Sequence, residues 1–155
     1  MAENENVEIE NEVTEPAAEE PAAEEHVVND TEPAEKDVKT LLIDTLTDQF
    51  HLPVILQGSL AANDVYPAAF FTFWNNYTTD YAFYDNNETG VIWNFDLNYY
   101  SDDPVSVNTI LLQAKQVLKA VGFIPDGSGH DVLSDEPTHT GRGLTLFYIE
   151  KVRNS

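Results

Sequence analysis

The stretch Val91-Ile92-Trp93-Asn94-Phe95-Asp96-Leu97-Asn98-Tyr99-Tyr100 decides how this chain folds. Val91, Trp93, Phe95, Leu97 and Tyr99 fall on one side of an extended backbone. Ile92, Asn94, Asp96, Asn98 and Tyr100 fall on the other. A period of two with one apolar face is the signature of a half-buried antiparallel strand. Just upstream, Asp85-Asn86-Asn87-Glu88-Thr89-Gly90 has turn chemistry, with Gly90 able to take positive φ. Tyr77–Tyr84 lies on the far side of that turn, so the two runs are expected to form a hairpin.

Downstream, Ser101-Asp102-Asp103-Pro104 reads as a helix start, with acids near the positive dipole end and proline in the first turn. Val107, Ile110, Leu111, Ala114, Val117, Leu118 and Val121 then follow the helical period until Gly122 stops it. Residues 125–142 read as a polar loop holding Gly127, Gly129 and Pro137. Gly143–Lys151 reads as the last strand, with Leu144, Leu146 and Tyr148 on one side and Thr145, Phe147 and Ile149 on the other.

Upstream, Asp37 is placed to cap a helix over Val38–Phe50, where Val38, Leu42, Leu46 and Phe50 recur every fourth residue. His51-Leu52-Pro53 ends it, because the residue before proline avoids helical dihedrals. Val54–Gln57, Ala68–Trp74 and Tyr77–Tyr84 read as three separate strands. Strands bracketed by two helices give an α+β domain, a small antiparallel sheet with both helices packed on one face.

The charge divides the chain. It carries 28 acids and 7 bases, net −21. Residues 1–36 hold 13 of the acids and one base, Lys36, so −12 resides there and −9 in residues 37–155. Pro-Ala-Ala-Glu-Glu occurs twice within residues 15–25, and all 17 aromatics come later. An arm this polar cannot bury enough apolar surface to offset the entropy of ordering it, so residues 1–36 are expected to be a disordered acidic arm. Residues 37–155 are expected to form one domain.

So few bases exclude a surface that neutralises phosphates, and an anionic membrane would repel the chain. No apolar run approaches the roughly 20 residues of a membrane helix. Met1–Glu5 has neither a basic nor an apolar signal region, so no secretory signal is expected. The absence of cysteine excludes thiol nucleophiles and Cys-ligated metals.

Chemical motifs are sparse. His130, Asp131, Asp135, Glu136 and His139 fall within ten residues, but their spacing matches no metal motif. Asp85, Asn87, Thr89 and Gly90, with Asp96 at position 12, partly mimic a calcium loop, yet a strand follows where a helix is required, and position 12 lacks the bidentate Glu. Gly141-Arg142-Gly143 is too short to cradle a phosphate. Without a nucleophile elbow, phosphate loop or dinucleotide fingerprint, no enzyme, cofactor or metal is expected. Tyr66, Phe70, Phe71, Phe73, Trp74, Tyr77, Tyr81, Phe83 and Tyr84 are more aromatics than one small sheet can bury. They serve either a subunit interface or a dense core with Tyr at its rim.

Three runs carry a family resemblance. They are Val65-Tyr66-Pro67 leading into an aromatic strand, Tyr81-Ala82-Phe83-Tyr84-Asp85-Asn86, and Trp93 to Ser101. Gly122-Phe123 followed by Ser134-Asp135-Glu136-Pro137-Thr138-His139-Thr140-Gly141-Arg142-Gly143 adds to it. Over about residues 38–151 the chain resembles the tail terminator and head–tail joining proteins of long-tailed phages and prophages. The acidic arm departs from their short form. The resemblance implies a virion protein without catalytic residues, assembled in the bacterial cytoplasm as a hexameric ring. The ring would cap the tail tube, contact the major tail protein and the head–tail connector, and let DNA through without binding it. Trp74, Tyr81, Asp85, Asp135, His139 and Arg142 are the expected interface residues, with Arg142 meeting a carboxylate on a neighbour. The competing expectations are another tail or baseplate accessory protein and a monomeric bacterial binding module using its aromatic surface.

Overall fold

A computed structural model describes residues 36–61, 63–84 and 87–152. The element order is α1 (Val38–Phe50), β1 (Val54–Leu56), β2 (Ala69–Tyr84), β3 (Asn87–Ser101), α2 (Ser106–Ala120), β4 (Ile124–Val132) and β5 (Thr140–Lys151). Two helices and one five-stranded sheet make an α+β domain. The expected acidic arm lies outside the described residues apart from Lys36, as does Asp85.

The strands run in the order β1-β2-β3-β5-β4. The sheet is mixed and not wholly antiparallel, because β1 pairs parallel to β2 through Val54↔Phe71 and Leu56↔Phe73. The direction of β1 is set by how residues 57–68 return the chain to the sheet edge, which no local pattern encodes. The other pairs are antiparallel, as the alternation in residues 91–100 requires.

The two strands expected at 68–74 and 77–84 are one strand, β2, bent by a bulge between Asn75 and Tyr77. An extra residue there leaves the ladder intact on both sides, so the polar Asn75-Asn76 pair is not a break. The expected hairpin forms between β2 and β3, but Gly90 is not in its turn. It sits inside β3 opposite Tyr81, and its φ is not among the positive ones. Residues 125–142 are not a loop throughout. β4 occupies Ile124–Val132 and pairs with β5 at the sheet edge, shifting register between Asp126 and His130. It shows no apolar alternation because it buries little: only Pro125, Gly129 and Val132 are partly covered, and the strand is held by pairing at the edge.

The helix boundaries follow their local chemistry. Val38–Phe50 is helical as the four-residue repeat requires, and His51, in the left-handed region at φ 54, ends it. The Asp37 side chain makes no capping hydrogen bond. The second helix starts at Ser106, with Val105 at the N-cap and no side-chain capping bond, so the expected Asp cap and first-turn proline lie just ahead of it. There Asp103 Oδ1 accepts from the Val105 amide at 3.1 Å in the turn that leads in. Gly122 takes φ +106 and donates to the Lys119 carbonyl, while the Phe123 amide donates to Leu118 O at 3.0 Å. Those two bonds and the left-handed glycine make a Schellman stop, and it turns Phe123 into the core.

The core joins Leu42 and Leu46 of α1 and Leu111, Ala114 and Leu118 of α2 with Phe71, Phe73, Phe95, Leu97, Tyr99, Leu144 and Leu146 of the sheet. Phe71 registers with Tyr99, Phe73 with Leu97, and Leu97 and Phe95 with Leu144 and Leu146, so these sheet residues share one face. Tilted and edge-on ring pairs knit that face, including Phe71–Tyr99 at 4.8 Å and Phe95–Phe123 at 6.3 Å. Trp93 stacks on Phe95 at 6.0 Å, and its indole N–H donates to Glu150 Oε2 at 2.9 Å. Among the described residues no helix is long and apolar enough to cross a membrane.

Candidate functional site

The opposite sheet face is the candidate site. Alternation sends Phe70, Thr72 and Trp74 of β2 to this outer side, because their partners Tyr100, Asn98 and Asp96 alternate with the core residues of β3. The bulge then shifts the parity. Past it, Tyr77 registers with Asn94, Thr79 with Ile92 and Tyr81 with Gly90, so Tyr77 and Tyr81 stay on the same face as Trp74. From β5, Phe147 opposite Asn94 and Ile149 opposite Ile92 complete it. Trp74, Tyr77 and Tyr81 are each 49% exposed and Ile149 41%.

A polar spine runs along β3 beneath these rings. Asn76 Nδ2 donates to Asn94 Oδ1 at 2.9 Å, and Thr145 Oγ1 donates to Asp96 Oδ1 at 3.1 Å. Asn94 and Asn98 are buried although they face outward, because the neighbouring strands crowd them. At Gly143 a Cβ would stand 2.4 Å from Asn98 Oδ1, and at Gly141 one would stand 2.6 Å from Tyr100 Cε1. The two glycines therefore let β5 pass beneath the side chains of β3.

At the end of this face near β1 is a cleft of about 120 Å³ lined by Gln57, Tyr66, Phe70, Thr72, Tyr100 and Asp135, among others. A water occupies about 30 Å³ of liquid, so the cleft admits a few waters, whereas sites for drug-sized ligands start near 300 Å³. Burial, assisted by the Asp135 carboxylate, raises the Tyr100 phenol above its ordinary value.

The expected interface residues separate into distinct settings. Trp74 and Tyr81 lie on the exposed face. Asp135 lies at the cleft. His139 is a tether, its Nε2 donating to Pro67 O at 2.7 Å while its ring packs beside Phe70 and Tyr66. Arg142 does meet a carboxylate, but in its own chain. Its Nη1 donates to Asp131 Oδ1 at 2.8 Å and its Nη2 to Gly129 O at 3.2 Å. Asp131 is 93% exposed, so this pair contributes little to stability. Asp85 lies outside the described residues. Among the described residues no group of three His, Asp or Glu could hold a metal ion. His130 sits on β4 beside Gly143, apart from the His139 tether.

Sequence reasoning left Phe147 and Ile149 out of the site. Their alternation against Leu144 and Leu146 was the available signal, since it sends them away from the core. Compared with known proteins, the chain matches no family model and no curated sequence.

Proposed function

We propose that the protein is a structural subunit of a long-tailed phage, forming a ring that closes the tail tube and joins it to the head connector. The observation that carries this reading is the outer sheet face, where Trp74, Tyr77, Tyr81 and Ile149 are half exposed around a hydrogen-bonded polar spine. Aromatics are enriched in interface cores, and half-exposed aromatics grouped on one sheet face suit an association surface. The resemblance carried by residues 65–67, 81–86, 93–101, 122–123 and 134–143 supplies the assembly proposed for this surface. The helices pack against the core face, the acidic arm stays solvated, and the finished subunit resides in the virion.

The excess of 28 acids over 7 bases fits a ring through which DNA passes unheld, because phosphates near such a surface are repelled. The cleft beside Tyr100, at about 120 Å³, is too small to support the rival reading of a ligand-binding module. The test is a stop codon placed in this gene within a phage or prophage that carries it. The proposal predicts uncapped tails that fail to join heads, rescued by the intact chain. Infectious particles with normal joined tails in its absence would refute it.

A further inference from the structure

One edge of the sheet is left open. Phe71 N donates to Pro53 O and Gln57 N donates to Phe73 O, so β1 covers β2 only as far as Phe73. Among the described residues no strand lies beside Asn76–Tyr81 on that side. Proteins blunt such an edge with lysine, proline, bulges or inward charges, because its free N–H and C=O groups template pairing. β2 has neither Lys nor Pro, its bulge lies before Tyr77, and its one charge is Asp80, opposite Val91; Tyr77–Tyr81 is left as a regular open segment.

The hydrogen-bond parity identifies which groups are free. Val152 N donates to Thr89 O, so odd residues of β3 bond toward β5 and even residues toward β2. The even residues Asn94, Ile92 and Gly90 face Tyr77, Thr79 and Tyr81. Thr78 and Asp80 therefore direct their backbone groups to the open side.

We propose that this edge pairs antiparallel with the same edge of a second copy, about a two-fold axis at Thr79. The register is self-complementary. Thr78 of each copy exchanges backbone hydrogen bonds with Asp80 of the other. Thr79 faces Thr79, and Tyr77 faces Tyr81 on the outer face, in the closely spaced non-hydrogen-bonded positions. Each Asp80 stands opposite a threonine, so this register sets no carboxylate directly against another. A register centred on Asp80 would oppose the two carboxylates. β4 is a poorer partner, since Pro125 and the positive φ of Gly127 and Gly129 interrupt its edge. The pairing is independent of the proposed ring. A two-fold contact cannot close a ring, and edge pairing leaves the outer face open.

The chain has no cysteine, so one introduced cysteine reports the contact cleanly. Thr79→Cys in the full chain should form an intermolecular disulfide under mild oxidation much faster than Leu133→Cys, whose position is 96% exposed. Equal rates would overturn the pairing. Position 78 tests the register by sedimentation: Thr78→Lys faces Asp80 of the partner and should raise the dimer fraction, whereas Thr78→Glu should lower it. Shifts in the same direction from both variants would overturn the register.

Discussion

Replacing Trp74 by alanine probes the outer face where it is largest. The side chain is 49% exposed in the protomer, opposite Asp96 and outside the core cluster. A tryptophan offers up to about 250 Å² to burial, so about 120 Å² remains for a partner to cover. At roughly 25 cal/mol per Å², covering it stabilises an interface by about 3 kcal/mol, or about two orders of magnitude in the association constant. The covered half of the ring contributes within the protomer. Its loss should cost about 1–3 kcal/mol of folding stability, which a domain of ordinary stability survives. The assay is concentration-dependent light scattering of the full chain mixed with tail tubes, following species larger than a dimer, paired with far-ultraviolet circular dichroism to establish that the variant is folded. A folded Trp74→Ala chain that forms those species on tubes at the wild-type concentration would show that the exposed face is not the contact.

Other expectations follow from the packing. Phe95→Ala removes a fully buried ring and should cost about 3–5 kcal/mol, read as a lowered denaturant midpoint with the outer face untouched. Gly143→Ala forces a Cβ to 2.4 Å from Asn98 Oδ1 and should destabilise by about 1–3 kcal/mol; a neutral effect would show that β5 is not fixed against β3 there. Gly122→Ala places a side chain at φ +106, and should cost about 1–2 kcal/mol in thermal unfolding, with little effect on assembly. The Tyr100 phenol is raised from 10.0 by burial, with Asp135 adding to the rise. Its contribution to stability is therefore intact below pH 10.0 and declines as pH rises through the folded value. In an absorbance titration, Asp135→Asn should lower the pH at which this phenol ionises.

The parts of the fold legible in the sequence are those whose partners are close in the chain. Val38–Phe50 carries its own period of four, and the alternation of residues 91–100 reports a core on one side. β1 shows no comparable signal, because three residues cannot reveal whether they pair parallel. β4 was hidden because Asp126, Gly127, Ser128 and Gly129 carry no alternation, and the strand is made by edge pairing of the residues on either side, Ile124–Asp126 and His130–Val132. The site was legible in composition, as a surplus of aromatics, but not in arrangement. Simple parity separates Trp74 from Tyr77, and only the bulge at Asn75 brings them to one face. Arg142 stands out in the sequence as a scarce cation and His139 as part of a His- and carboxylate-rich run, yet their partners Asp131 and Pro67 lie in the same chain.

The account is tested most directly by the native mass of the full 17.4 kDa chain, alone and mixed with tail tubes. Edge pairing predicts a two-fold species of the free chain, and the proposed function predicts a closed ring of hexamer mass on tubes. A chain that stays dimeric on tubes would contradict the ring while sparing the edge. One that remains at 17.4 kDa in both conditions would contradict the claim that this exposed sheet is an assembly surface.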